Sequence, residues 1–559
     1  MNAERLLQRY EMIVDAPDAI DRLRKFILDL AVRGKLVPQD RADEPAVELL
    51  RRIQEEKARL KKSSSKKNSL KFEDWKHEEL PFDLPDSWVW SRLGDILIKL
   101  TDGTHHSPDN GPVGDFRYIT AKNIKEHGVA LNDVTYVSSD VHAEIFSRCN
   151  PEKGDILYIK DGATTGVVTI NDLDEPFSML SSVALLKLPR GLLNRLLVIF
   201  LRSPFFYDQM RGFMKGAAIT RVTLKRMAPA LLPLPPLAEQ HRIVAKVDEL
   251  MALCDQLEVA REEREAARAR LAVASLARLN SPDPETFSED ARFALEALPA
   301  LTARPDQIKQ LRQTILNLAV RGKLVPQDPK DEPAEEFDEA LPNALAKPFS
   351  IPSSWKWSRL SYVGKLRGGG TPSKSNSEFW RGEIPWVSPK DMKVDYISNA
   401  QMSISQKAVR ESSVKLIDRG SLLFVVRGMI LAHSFPVAIA QEFVTVNQDM
   451  KALTLKKPEM AEYFLRALKG LKPQMLARVQ RSSHGTCRLE GSDYSDFLMP
   501  IPPLAEQHRI VAKVDELLSL CDQLEASLMT AGEARGKLLE ALLAEAITSP
   551  ILEHRVAAE

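Results

Sequence analysis

The sequence predicts an α+β chain in which two mixed α/β domains are separated by long antiparallel coiled-coil helices, arranged as an internal pseudo-twofold repeat. Three observations predict this. Leu30–Asp40 reads LAVRGKLVPQD and Leu318–Asp328 repeats it, while Pro235–Leu250 reads PPLAEQHRIVAKVDEL and Pro502–Leu517 repeats that letter for letter. The distal copy of the second element continues as a heptad seam, Ile510, Val514, Leu517, Cys521, Leu524 and Leu528. Between the repeated elements lie short β-rich runs bounded by Gly, Asp or Pro.

The elements follow in chain order. Residues 1–80 hold a helical region and a charged linker, 81–236 a first head, 237–345 a central helical spacer, 346–503 a second head, and 504–559 a C-terminal helix. Ile20, Leu23, Ile27 and Leu30 share one helical face, with Pro17 and Asp18 suited to its start and Gly34 to its left-handed end. Ile308, Leu311, Ile315 and Leu318 repeat the face between Pro305 and Gly322. PDSWVWSRL at Pro85–Leu93 and PSSWKWSRL at Pro352–Leu360 open the two heads, where Trp88, Trp90, Trp355 and Trp357 are expected in the core rather than as base-stacking platforms. From these openings to the PPLAEQ elements the two copies are equal in length. The extra residues of the first copy fall earlier, largely in the charged run EEKARLKKSSSKKNS (55–69), of which Lys61–Lys67 is read as a solvated linker rather than a phosphate contact. DILYIK (155–160), GVVTI (166–170), SLLFVV (421–426) and FPVAIA (435–440) read as strands, and GTHHSPDNGPVG and GGGTPSKSNS as exposed loops.

Composition excludes several classes of function. No run of about 18 apolar residues exists to span a bilayer, and Met1–Asp15 lacks the apolar run and cleavage site of a signal peptide, so a cytoplasmic location without membrane contact is expected. Cys149, Cys254, Cys487 and Cys521 have neither CxxC spacing nor paired histidines, which argues for reduced thiols and no metal; Cys254 and Cys521 fall on the helix seams as small apolar residues. Formal charge is zero, yet residues 355–500 carry about nine more basic than acidic residues and residues 88–235 about two. Asn150-Pro151-Glu152 is the nearest approach to an NPPY-type methyltransferase loop, and no GxxxxGK[ST] is present. No catalytic residue is expected.

The paired LAVRGKLVPQD and PPLAEQHRIVAKVDEL elements, the SWxWSRL openings and GGGTPSKSNSEFWRGEIPWVSPKDMK (368–393) together resemble the specificity subunits of type I restriction-modification enzymes over essentially the whole chain. The resemblance implies two target-recognition domains, each reading half of a split double-stranded DNA target. It also implies helices that act as spacer and docking surface for two methyltransferase subunits. Those partners would bind S-adenosylmethionine, and a separate restriction subunit would use ATP and Mg; this chain would bind neither. The heads differ, FRYITAKNIK against IPWVSPKDMK and KGDILYIKDG against RGSLLFVVRG, which implies unlike half-sites.

Within that frame the DNA-contact candidates are loop and basic residues: Gly103, Thr104, His105, His106, Lys122, Asn123, Lys160 and Arg221 in the first head, and Thr371, Ser373, Lys374, Asn376, Lys390, Arg427, Arg481 and Arg488 in the second. Glu239, Gln240, Ile243, Val247, Leu250, Glu506, Gln507, Ile510, Val514 and Leu517 are the candidates for the partner-docking or spacer helix. Two readings of other classes compete. One is a scaffold whose heads bind proteins, which the basic surplus of the second head disfavours; the other is a fused methyltransferase or nuclease, which the missing motifs disfavour.

Overall fold

Each repeat opens with a short amphipathic helix that a glycine terminates. The computed structural model describes residues 15–62, 80–213, 221–338, 341–342, 345–481 and 485–548. It divides into one unit of Met1–Glu262 with Gly532–Glu559 and a second of Glu263–Ala531. In the first unit α1 (Ala19–Val32) buries Ile20, Ile27, Ala31 and Val32, and Asp18 precedes it in a left-handed conformation without capping through its side chain. The Lys35 amide donates to the Leu30 carbonyl (2.9 Å) and the Gly34 amide to that of Ala31 (3.4 Å). This paired stop needs a residue at positive φ, which Gly34 supplies at +67°. A Cβ there would also lie 2.6 Å from Pro85 Cγ, so backbone and packing both demand glycine.

The run after α1 holds a helix that no motif in the sequence singled out. Ala46–Lys62 is a helix, α2, because Ala46, Leu49 and Ile53 recur on one face and are buried. The helix reaches only the first two residues of the expected linker, Lys61–Lys67. Lys57 Nζ donates to the carbonyls of Gly94 and Asp95 (2.6 and 2.8 Å), tying that helix to the head. The lysine-rich remainder, residues 63–69, lies outside the described residues.

In the first head, Lys99–Asp102, Val183–Lys187, Ile156–Ile159 and Val168–Ile170 form an antiparallel sheet in that order. Ile156, Tyr158, Ala184 and Leu186 enter one apolar cluster with α1 and α3 (Asn194–Arg202). Leu157, Ile159, Val183 and Leu185 enter another. Both faces are covered, which is why these strands read as unbroken apolar runs. A smaller sheet sets Phe116–Ile119 antiparallel to Thr135–Val137 and parallel to Ser178–Met179.

The first head is fixed to its helices by a buried polar knot. Val89–Arg92 pairs with Leu231–Leu234, which leads into α4 (Leu237–Asn280). Trp88 Nε1 donates to Glu239 Oε2 (2.9 Å), Gln39 Nε2 to Glu239 Oε1 (2.6 Å), and Ser87 Oγ to Gln39 Oε1 (3.1 Å). Arg242 pairs with Asp43 (2.6 Å), and Arg24 of α1 with Asp255 and Glu258 of α4 (2.7 and 2.6 Å). Within the same unit, Ala16 and Ala19 pack on Leu539 and Leu542.

The second unit repeats this plan. α5 (Pro305–Val320) ends at Gly322, φ +64°, with Lys323 donating to Leu318 (3.0 Å). Its large sheet has five strands in the order Gly364–Gly368, Met450–Leu455, Leu422–Val425, Val437–Ala440 and Tyr396–Ile397, the last pair parallel. Ile384–Val387 is antiparallel to Ser403–Ile404 and parallel to Thr445–Val446, and α6 (Ala461–Gly470) covers the core. The knot recurs at the head of α7 (Leu504–Thr548): Trp355 to Glu506 (2.9 Å), Gln327 to Glu506 (2.6 Å), Arg509 to Asp331 (2.7 Å), and Arg312 to Asp522 and Glu525 (2.6 and 2.8 Å). Trp88 and Trp355 are buried as expected, and Trp90 and Trp357 pack beside Phe82 and Phe349. Cys254 and Cys521 are buried on the helix seams.

The knot makes two measurable demands. Glu239→Ala leaves the Trp88 N–H without its acceptor, costing about 1 to 3 kcal/mol; amide protection of residues 30–40 and 85–92 should fall, and unchanged protection would contradict the assignment. Burial, the largest influence on the Glu239 carboxyl, raises its pKa above the ordinary value. The folded state therefore holds that proton more tightly. Its stabilising contribution is complete below the unfolded pKa and is lost as pH rises through the folded one. Glu239→Gln should remove this part of the pH profile, and a profile of unchanged slope would refute the link.

Candidate nucleic-acid interface

Both heads press a glycine-containing loop against the end of the strand that pairs in parallel in the smaller sheet. In the first, Thr104 N donates to Met179 O (2.9 Å) and Ser181 N to Thr104 O (2.8 Å). A Cβ on Gly103 would fall 1.8 Å from Met179 O, so Gly103 is needed for close approach and not as a contact. In the second, Gly370 N donates to Val446 O (2.9 Å), and a Cβ on Gly369 would fall 1.8 Å from Asn447 O. These bonds equate Gly103 with Gly369, Thr104 with Gly370, and Asp102 with Gly368.

Charge then separates the two heads. Asp102 is buried and lies 2.6 Å from Arg148, 3.4 Å from His105 and 3.4 Å from Lys160. Lys160 also pairs with Asp161 (3.1 Å), which in turn lies 3.2 Å from Arg221 Nε. In the second head Val426 stands at Lys160 and Arg427 at Asp161. Backbone bridges join Asp161 to Arg221 and, at the matching place, Arg427 to Arg488. Arg481 and Cys487 face each other in the adjoining hairpin, Arg488 pairs with Glu490 (2.8 Å), and Thr371 Oγ1 bonds to Gln448. Arg427 N donates to Asp449 O (3.2 Å), so Arg427, Arg481, Arg488 and the Thr371 loop lie together.

Several sequence candidates change standing. Lys160 is 1% exposed, because two carboxylates hold it inside, and is not a surface contact. Asn123 is buried as well, accepting from Thr120 N (3.1 Å) and donating to Ala130 O (3.1 Å) to shape the turn that presents exposed Lys122. Asp391 does the same for exposed Lys390, accepting from Ser388 N (2.8 Å). Asn376 accepts from Glu378 N (3.1 Å) and Ser373 bonds to Ser375 (2.8 Å), while Lys374 is exposed. Thr104 is buried with its hydroxyl against His106; His105 and His106 are exposed. Asp102, Arg148 and Asp161 escaped the sequence reading, although the replacement of Asp161 by Arg427 was visible once the repeats were aligned.

The candidates for the partner-docking or spacer helix lie on the two long helices and face inward. Glu239, Gln240, Ile243, Val247, Glu506, Gln507, Ile510 and Val514 are buried, and Leu250 and Leu517 pack against the same cores. The repeated residues lock each head to its own helices, so the buried side chains among them serve that packing.

Fold and loops together define a tandem recognition protein, with one head plan used twice and two different loop chemistries. The family model for the type I restriction modification DNA specificity domain matches residues 85–265 and again 352–530. The chain belongs to that family, and its role is DNA sequence specificity. It is 28% identical to the type I restriction enzyme EcoAI specificity subunit of Escherichia coli, over 94% of each chain. Identity to the EcoEI specificity subunit of Escherichia coli is 27%, over 94% of this chain and 93% of the relative. A chain from a solved type I R-M system, described for its complex assembly and conformational transition, is 21% identical with a TM-score of 0.48, over 84% of this chain and 99% of that one. No helix among the described residues is long and apolar enough to cross a membrane.

The buried network yields a stability test. Lys160→Met strips Asp161 of its buried cation and leaves Asp102 to the half-exposed Arg148 and His105, at a cost of about 3 kcal/mol. The melting of the first head should fall accordingly, and an unshifted transition would show the network to be dispensable.

Proposed function

We propose that this chain is the non-catalytic reader of a type I restriction-modification complex, with each head reading one half of an asymmetric bipartite target in double-stranded DNA. The observation that carries the reading is the pairing of matched frames with unmatched rims. Gly34, Trp88 and Glu239 recur as Gly322, Trp355 and Glu506, while Asp102, Lys160 and Asp161 give way to Gly368, Val426 and Arg427. Repetition suits a part that must meet equivalent partners twice. Divergence suits parts that meet different bases.

The finer architecture belongs to the same proposal. Helices α4 and α7, 44 and 45 residues long, pair as an antiparallel coiled coil about a pseudo-twofold axis and act as the ruler between half-sites. At 1.5 Å per residue each reaches roughly 65 Å, about two turns of DNA. Two methyltransferase subunits dock on the helical parts and carry S-adenosylmethionine; restriction subunits, where present, carry ATP and Mg. The chain holds neither cofactor and acts in the cytoplasm. The missing NPPY and GxxxxGK[ST] strings support a division of labour in which catalysis is left to the partners.

Replacing residues 85–235 with the corresponding head of another specificity subunit should change one half of the methylated motif and leave the other intact. Mapping methylated adenines in cells carrying the assembled complex reads this directly. A change in both halves, or in neither, would overturn the modular reading.

A further inference from the structure

We infer that Arg427 and Arg488 form a specificity-determining pair that reads guanine in the half-site of the second head, an inference that rests on the function proposed above. Residues directly opposite in an antiparallel bridge project from the same face with Cβ atoms roughly 5 Å apart, and like charges so placed repel. The second head nevertheless sets Arg427 opposite Arg488. Glu490 pairs with Arg488, but among the described residues Arg427 has no carboxylate partner, and it is exposed.

The first head shows the same bridge in its self-satisfied form. There Asp161 faces Arg221 at 3.2 Å, so the position accommodates an internal ion pair without any change of backbone. Placing a second guanidinium at that point leaves donors that only an outside acceptor can use. Guanine offers O6 and N7 side by side in the major groove, spaced for the fork of one guanidinium. The neighbouring Thr371, Gln448 and Arg481 put the pair within the loop cluster rather than on an isolated surface. Asp161 and Arg221 occupy the matching place in the first head with an acceptor and a donor, so the two half-sites must differ at the corresponding base pair.

The test uses the complete chain assembled with its methyltransferase subunits. Adenine-methylation mapping gives the motif, and binding is then measured on duplexes with each position of the second half varied. Arg427→Ala and Arg488→Ala should each relax discrimination at one G·C pair of the second half roughly 5- to 140-fold, with the first half unchanged. Arg427→Lys keeps the charge but loses the fork, so overall affinity should persist while discrimination falls; it also carries the test should the alanine variant fail to fold. A second half lacking any G·C pair, or retained discrimination in the variants, would overturn the inference. So would a uniform loss on all duplexes with a salt slope reduced by about one, since that is the signature of a phosphate contact. A wild-type complex with no preference in either half would instead sink the underlying function, and is seen before any substitution is made.

Discussion

A tryptophan indole donating to a buried glutamate holds each half of this molecule together. Trp88 and Glu239, like Trp355 and Glu506, join the first strand of a head to the first turn of the long helix that leaves it. The carboxylate is costly to bury, so every one of its lone pairs that can be satisfied must be. Gln39 and Gln327 supply the second donor, and their own positions depend on the glycine that ends the preceding helix and lets the chain turn toward the tryptophan. This explains why the repeated letters extend so far on both sides of Glu239. A change at Trp88, Gln39 or Glu239 leaves a buried polar group short of a partner, so these three positions depend on one another.

Because the frame is anchored locally, the heads can vary without disturbing it. Their sheets are buried on both faces, and the loops that leave the strand ends are held by backbone bonds that place no condition on side-chain chemistry beyond a glycine at close approach. The first head fills the space behind its loop with Asp102, Lys160, Asp161 and their partners. The second fills it with Val426 and leaves its guanidinium groups outward. One backbone plan thus supports both an internally neutralised rim and a cationic one.

Much of this was legible in the residues. The helix ends at Gly34 and Gly322, the strands in DILYIK and SLLFVV, and the buried tryptophans follow from local chemistry, which is what periodicity and turn residues report. Depth was harder to read. Lys160 and Asn123 look like surface polar residues in a string of letters, and only the fold shows that Asp102, some sixty positions upstream of Lys160, receives the lysine and that Ala130 receives the amide. The helix Ala46–Lys62 was hidden for a related reason. Its apolar positions are few, and the charged residues between them dominate the composition although Ala46, Leu49 and Ile53 alone decide its packing. The repeated seam at Ile243 and Val247 suggested a partner helix because periodicity shows that a face is covered without showing by what.

The zero formal charge of the chain becomes intelligible in these terms. Some acidic residues hold the frame: Asp43, Asp255, Glu258, Asp331, Asp522 and Glu525 each meet an arginine of their own unit. Those pairs are short-ranged and, at more than a Debye length of roughly 8 to 10 Å, contribute little potential. On the function proposed above, what a nucleic acid meets is the local surplus, which is larger over the second head and includes Arg427, Arg481 and Arg488. Juxtaposed guanidinium groups cost stability in the unbound head, whereas the ion pairs of the first head stabilise it without a ligand. On the function proposed above, the two heads divide along a physical line: the second keeps the facing guanidinium groups of Arg427 and Arg488 outward, whereas at the matching place in the first Asp161 and Arg221 neutralise each other.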